Sequence, residues 1–244
     1  MNRMYQGLEP DRTVARVDHV VTPESLGPHR RRVVSHPVRF ISLLLAVACP
    51  VFALAQDNKS SEPPMHTKSA LLVIDAQVGV LSTIWESKRV IGNLEKLVGK
   101  ARTAGVPVIW VQHSDDDELK YGSQNWKLAP NFVPTTAEIV IHKKYNSSFA
   151  STDLDQRLKA LGVSRIVLAG ALTNWCIRST AYAAVDRGYN LALISDAHST
   201  ESLQLSDGKT VPAESIVADL NAVFEWISVP NVRTEVRKTA DVAF

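Results

Sequence analysis

From residue 69 onward, short apolar runs alternate with segments of helical periodicity, and this alternation constrains the fold more than any other feature of the chain. The run "SALLVIDA" (69–76) is continuously apolar and ends on a carboxylate, the pattern of a strand buried on both faces. "ESKRVIGNLEKLVGKARTAG" (86–105) follows, with Val90, Ile91, Leu94, Leu97, Val98 and Ala101 at helical spacing and Gly105 as a stop. "VPVIWVQH" and "EIVIHK" read as strands either side of a polar loop, Ser114 to Ala137. Next come a helix in "STDLDQRLKALG" opened by a Ser/Thr cap, a strand in "RIVLAGAL", a helix in "TNWCIRSTAYAAVDRG", a strand in "NLALISDA" and a helix in "AESIVADLNAVFEWIS". Strands joined by crossover helices predict an α/β, Rossmann-like, three-layer α-β-α sandwich with a mostly parallel sheet. The single domain is expected over 69–230, with 231–244 as a C-terminal tail or short strand.

The segment before it has a different character. "RRRVVSHPVRF" leads into "ISLLLAVACPVFALA" and then "QDNKSSEPP". A basic stretch, a short apolar stretch and the small-x-small end Ala53-Leu54-Ala55 form a secretory signal pattern, with cleavage expected after Ala55. The apolar run holds Pro50 and is shorter than the ~20 residues that span a bilayer. An uncleaved anchor, or a lipoprotein form at Cys49, is the alternative. Residues 1–55 are thus expected as extension and signal, and 56–68 as linker, giving a periplasmic or secreted protein with no stable membrane span once cut. The seven arginines and four acids of 1–55 also account for the formal net charge of +2, leaving the domain slightly acidic and no reason to expect nucleic acid. Cleavage would leave Cys176 as the sole thiol, either buried and inert or reactive.

Ligands of parallel α/β sheets bind beyond the carboxyl ends of the strands, near the point where strand order reverses. Three predicted strand ends carry useful chemistry there: Asp75 after "LLVI", Lys143 closing "IVIHK", and Cys176 just past "IVLAGAL". A free thiol ionises near pH ~8.5, and the thiolate is the nucleophile. The first turn of a helix and the Lys143 ammonium would both favour that thiolate at neutral pH. Asp75 could take the thiol proton and return it to a leaving group. The turn "GALTNWC" would offer backbone N–H groups to an oxyanion.

"LLVIDAQ", "KKYNSSF", "STDL", "GALTNWCIRSTAYAAVDRGY" and "ISDAHST" together resemble the cysteine hydrolases of the isochorismatase-like superfamily, over about residues 69–200. The resemblance implies Asp75, Lys143 and Cys176 as a catalytic triad, with Lys143 rather than Lys144 because the family's K-x-x-x-S-x-F pattern counts back from Phe149. It implies a non-proline cis peptide at Ala171–Leu172 and an oxyanion hole of the Leu172 and Cys176 amides. Gln77 matches the family's Asp-x-Gln and would fix loops by hydrogen bonds. His198, in "DAHST", is expected near the cleft as a hydrogen-bonded histidine or a second base.

Departures from the family narrow the function. Nicotinamidases of the superfamily bind a divalent metal through an Asp-x-His and a further His; here "VQHSDDDELKYGSQNW" has His113 before three aspartates and no Asp-x-His. Neither metal nor cofactor is therefore expected. The cysteine favours attack on an amide of a small-molecule substrate through a thioester. Trp110, Tyr121, Trp126 and Trp175 are candidates to line an aromatic pocket, and a homo-oligomer is expected. A catalytically silent binding or scaffold protein on the same fold is the alternative, and a redox role is weaker because one thiol lacks a resolving partner.

Overall fold

The computed structural model describes residues 68–244. The leader and nearly all of the expected linker lie outside the described residues. Strand β1 (Ser69–Ile74) is the predicted first run, and each of its six residues is buried. A single turn, α1 (Val78–Leu81), follows, and then α2 (Ser87–Thr103). Gly105 ends α2 as predicted: at φ +65° its N–H donates to Arg102 O, and the next N–H, from Val106, donates to Ala101 O. Only glycine enters that left-handed position without steric cost.

The remaining elements are β2 (Val108–His113), β3 (Ile139–Lys143), α3 (Leu154–Ala160), β4 (Arg165–Ala171), α4 (Arg178–Val185), β5 (Asn190–Ser199), a small hairpin of β6 (Leu203–Gln204) and β7 (Thr210–Val211), α5 (Ala213–Trp226) and β8 (Thr234–Arg237). The main sheet has six strands in the order β3-β2-β1-β4-β5-β8, and every neighbouring pair is parallel. Residues 231–244 therefore supply an edge strand. The chain beyond it stays docked, with Thr239 and Val242 buried and Lys100 Nζ donating to the Thr239, Ala240 and Val242 carbonyls.

Two apolar layers close the sandwich. The α2 stripe Val90, Leu94, Leu97 and Ala101 covers one face of the sheet. The other face carries Leu72, Ile74, Ile109, Val111, Ile166 and Leu168, packed under Leu158 of α3, Ala181 and Val185 of α4, and Leu220 and Phe224 of α5. Side chains alternate between faces along a strand, so both sets come from the same continuous apolar runs.

The chain order reverses between β1 and β4. The chain steps outward from β1 to β2 and β3, then returns to the other side of β1 as β4. At that point the two backbones touch. A Cβ on Gly170 would stand 2.0 Å from Ile74 O, and Gly170 has φ +125°, so only glycine fits. The β4–β5 register shifts between Leu168 and Gly170, which brings His198 opposite Gly170.

Candidate active site at the sheet switch point

Asp75, Lys143 and Cys176 converge here from three strand ends. Asp75 follows β1 in left-handed backbone, φ 49°, with its N–H donating to Val111 O at 2.8 Å. Aspartate tolerates that region better than most residues, at a cost of about 1–3 kcal/mol that the neighbouring packing must offset. Lys143 closes β3. Cys176 lies beyond β4, where the sequence predicts the first turn of an α-helix. The chain instead makes one wide π-turn over Thr173–Ile177 before α4 begins. The Leu172 carbonyl accepts from both Trp175 N–H and Ile177 N–H, each at 3.1 Å, and the second bond widens the turn. The Ala171–Leu172 peptide is cis, at the position implied by the family resemblance.

Lys143 Nζ is the hub. It donates to Asp75 Oδ2 at 2.8 Å and to Cys176 Sγ at 3.1 Å, and it lies 3.2 Å from His113 Nδ1. The Lys143 side chain has no exposed surface. Burial alone would depress its pKa, but this is outweighed chiefly by the Asp75 carboxylate, so the ammonium is held above the usual lysine value. Asp75 Oδ1 is buried without a hydrogen-bond partner, an open acceptor beside the pair.

The sequence expectation of a thiolate at neutral pH is corrected here. Burial, and then the Asp75 charge, push the Cys176 thiol up to about 12; Lys143 pulls the other way without prevailing. The resting group is a thiol.

The other candidates divide. Gln77 is wholly buried and clamps the His113 main chain from both sides. Its Oε1 accepts the His113 N–H at 2.8 Å, while its Nε2 donates to His113 O at 2.9 Å and to Trp126 O at 2.7 Å. His198 is buried between Thr173 Oγ1 and Asn221 Oδ1, each at 2.9 Å. Burial lowers its pKa to about 4, so the ring is neutral and anchors the start of the π-turn to α5. Trp175, next to Cys176, is partly exposed.

Trp110 does not reach the cluster. It is fully buried on the α2 face of the sheet, tilted against Phe132, with its indole N–H donating to Glu138 Oε2 at 2.9 Å. Tyr121 and Trp126 pack on each other and on His142. His142 and Lys143 are consecutive in β3, so those rings sit across the strand from the ammonium. His113 is the residue sequence reasoning missed in this role, having weighed it only as a metal ligand. Its signal was its place at the end of β2, beside β3. Among the described residues, no three His, Cys, Asp or Glu side chains gather as a metal-binding group.

Residues 69–218 match the isochorismatase domain family, and the chain belongs to it. The isochorismatase family protein YddQ of Bacillus subtilis is 32% identical over 171 residues, covering 65% of this chain and 94% of that one. A streptothricin hydrolase of Streptomyces noursei is 33% identical over 153 residues, 59% of this chain and 55% of its own. The crystal structure of an isochorismatase from Pseudomonas putida superposes with a TM-score of 0.65 at 28% identity, covering 72% of this chain and 90% of that chain.

Proposed function

We propose that this isochorismatase-family protein is an exported cysteine amidohydrolase that cleaves an amide C–N bond of a small molecule. The observation carrying this reading is the single buried ammonium that touches both the Asp75 carboxylate and the Cys176 sulfur. Cys176 Sγ attacks the acyl carbon as its proton passes to Asp75, so the thiolate forms only in concert with the attack. Lys143 stabilises charge growing on sulfur, and the Leu172 and Cys176 amides receive the oxyanion. Collapse of the tetrahedral intermediate expels the amine, which takes the proton from Asp75 and leaves a thioester. Water then attacks the thioester with Asp75 as base; the acid departs and the sulfur recovers a proton. The streptothricin hydrolase among the relatives supports a hydrolytic reaction.

Screening purified protein against a panel of small amides and ureides tests the reading. Turnover of at least one, abolished in Cys176→Ala of unchanged fold, is the expected result. Equal turnover in Cys176→Ala would overturn the cysteine route, and an inert panel with an inert thiol would favour a silent scaffold.

A further inference from the structure

His113 and Lys143 are register partners at the ends of β2 and β3, so their side chains stand side by side on one face of the sheet. An ammonium has three protons and no lone pair. His113 Nδ1, 3.2 Å from Nζ, must therefore accept, which puts the ring proton on Nε2. Lys143 then commits its three donors to three acceptors: Asp75 Oδ2, Cys176 Sγ and His113 Nδ1. With no exposed surface on the lysine side chain, bulk water does not stand in for a lost acceptor. The His113 main chain is itself held independently of the ammonium. Gln77 bonds the His113 N–H and C=O together, and the next N–H, from Ser114, donates to Lys143 O at 2.9 Å.

We propose that His113 is a positioning residue: its neutral imidazole is the third acceptor that keeps the Lys143 ammonium on the Cys176 sulfur. This rests on the cysteine-hydrolase reading of the site. The charged groups facing the ring are Lys143 from β3, Asp75 from the end of β1 and Asp115 from the loop after β2, while Cys176 on the π-turn shares the ammonium. Burial and then Lys143 depress the imidazole pKa against the two carboxylates. The neutral ring is therefore favoured over the imidazolium more than in a free histidine.

Two substitutions separate positioning from mere packing. His113→Asn sets an amide oxygen near the place of Nδ1 and does not titrate; His113→Leu offers no acceptor. Iodoacetamide alkylation of Cys176 in the full chain is expected to slow roughly tenfold in His113→Leu, the equivalent of about one pK unit of thiolate stabilisation. His113→Asn should restore most of that rate. Equal rates in wild type and His113→Leu would overturn the proposal. A second readout needs no reactive sulfur: 15N NMR of His113 should show the Nε2–H tautomer, with an Nδ1 resonance that moves in Lys143→Met. An Nδ1–H tautomer, or a resonance indifferent to Lys143→Met, would also overturn it. If these results hold while no amide is turned over, the hydrolase reading fails and the positioning role stands.

Discussion

Cys176 is 7% exposed, and its thiol pKa of about 12 reflects burial first and the Asp75 charge second. Removing that charge acts in two directions. Asp75→Asn should stop turnover, because an amide cannot shuttle the proton, yet bring the thiol pKa down. The same change leaves the Lys143 ammonium buried without its counter-charge, which costs about 3–5 kcal/mol. Turnover assays beside denaturant melts check both; full turnover in Asp75→Asn would refute its role as base. Gly170→Ala should cost about 4 kcal/mol or more, since the added Cβ meets the Ile74 carbonyl at 2.0 Å in a backbone region closed to alanine. Chemical denaturation measures it, and a loss below 1 kcal/mol would contradict the close approach. The three strand-end residues were legible in the sequence because each closes or follows an apolar run. The direction of the thiol shift was not, because it depends on how completely Cys176 and Asp75 are buried together. The His113 contact was hidden for a related reason: it depends on the β2–β3 register, which spans a polar loop of no fixed pattern.

The continuous apolar runs made the strands readable, and Gly105 marked the end of α2. The π-turn was not readable, since "TNWCIRST" fits helical spacing and the widening comes from one carbonyl accepting two N–H groups. The turn is fastened by His198, which joins Thr173 to Asn221 of α5. Those partners lie far apart in sequence, so no local pattern announces them. The edge strand β8 is short and only partly buried, which left 231–244 open between tail and strand. His198 also gives a pH prediction. Its folded pKa of about 4 lies below the ordinary 6.5, so the unfolded chain binds the proton first as pH falls. The stability from the neutral ring is complete above pH 6.5 and is lost progressively down to about 4, a span worth about 3 kcal/mol. Melting temperature should fall across that window, and His198→Gln should flatten the slope. A slope unchanged in His198→Gln would assign the acid loss to other groups.

For the whole molecule, the reversal of strand order between β1 and β4 explains why residues distant in sequence meet at one sheet edge. That placement followed from the α/β alternation, whereas the docking of the C-terminal segment required the coordinates. The leader pattern predicts that exported protein begins at Gln56, which intact-mass analysis of the mature chain checks; a species retaining residues 30–55 would contradict it. Activity should survive EDTA, because the Asp-x-His is missing and His113 gives Nδ1 to Lys143. Loss on chelation with recovery on adding zinc, iron or manganese would contradict that. The central claim is that Cys176 is a buried thiol electrostatically coupled to Lys143 and Asp75. The most direct measurement is the rate of Cys176 alkylation by iodoacetamide against pH, in native protein and in Lys143→Met. The account predicts a rate that climbs steadily into alkaline pH with no midpoint near the ordinary thiol value of ~8.5, and a slower rate at every pH in Lys143→Met. Identical profiles in the two proteins, with alkylation accelerating only on unfolding, would contradict it.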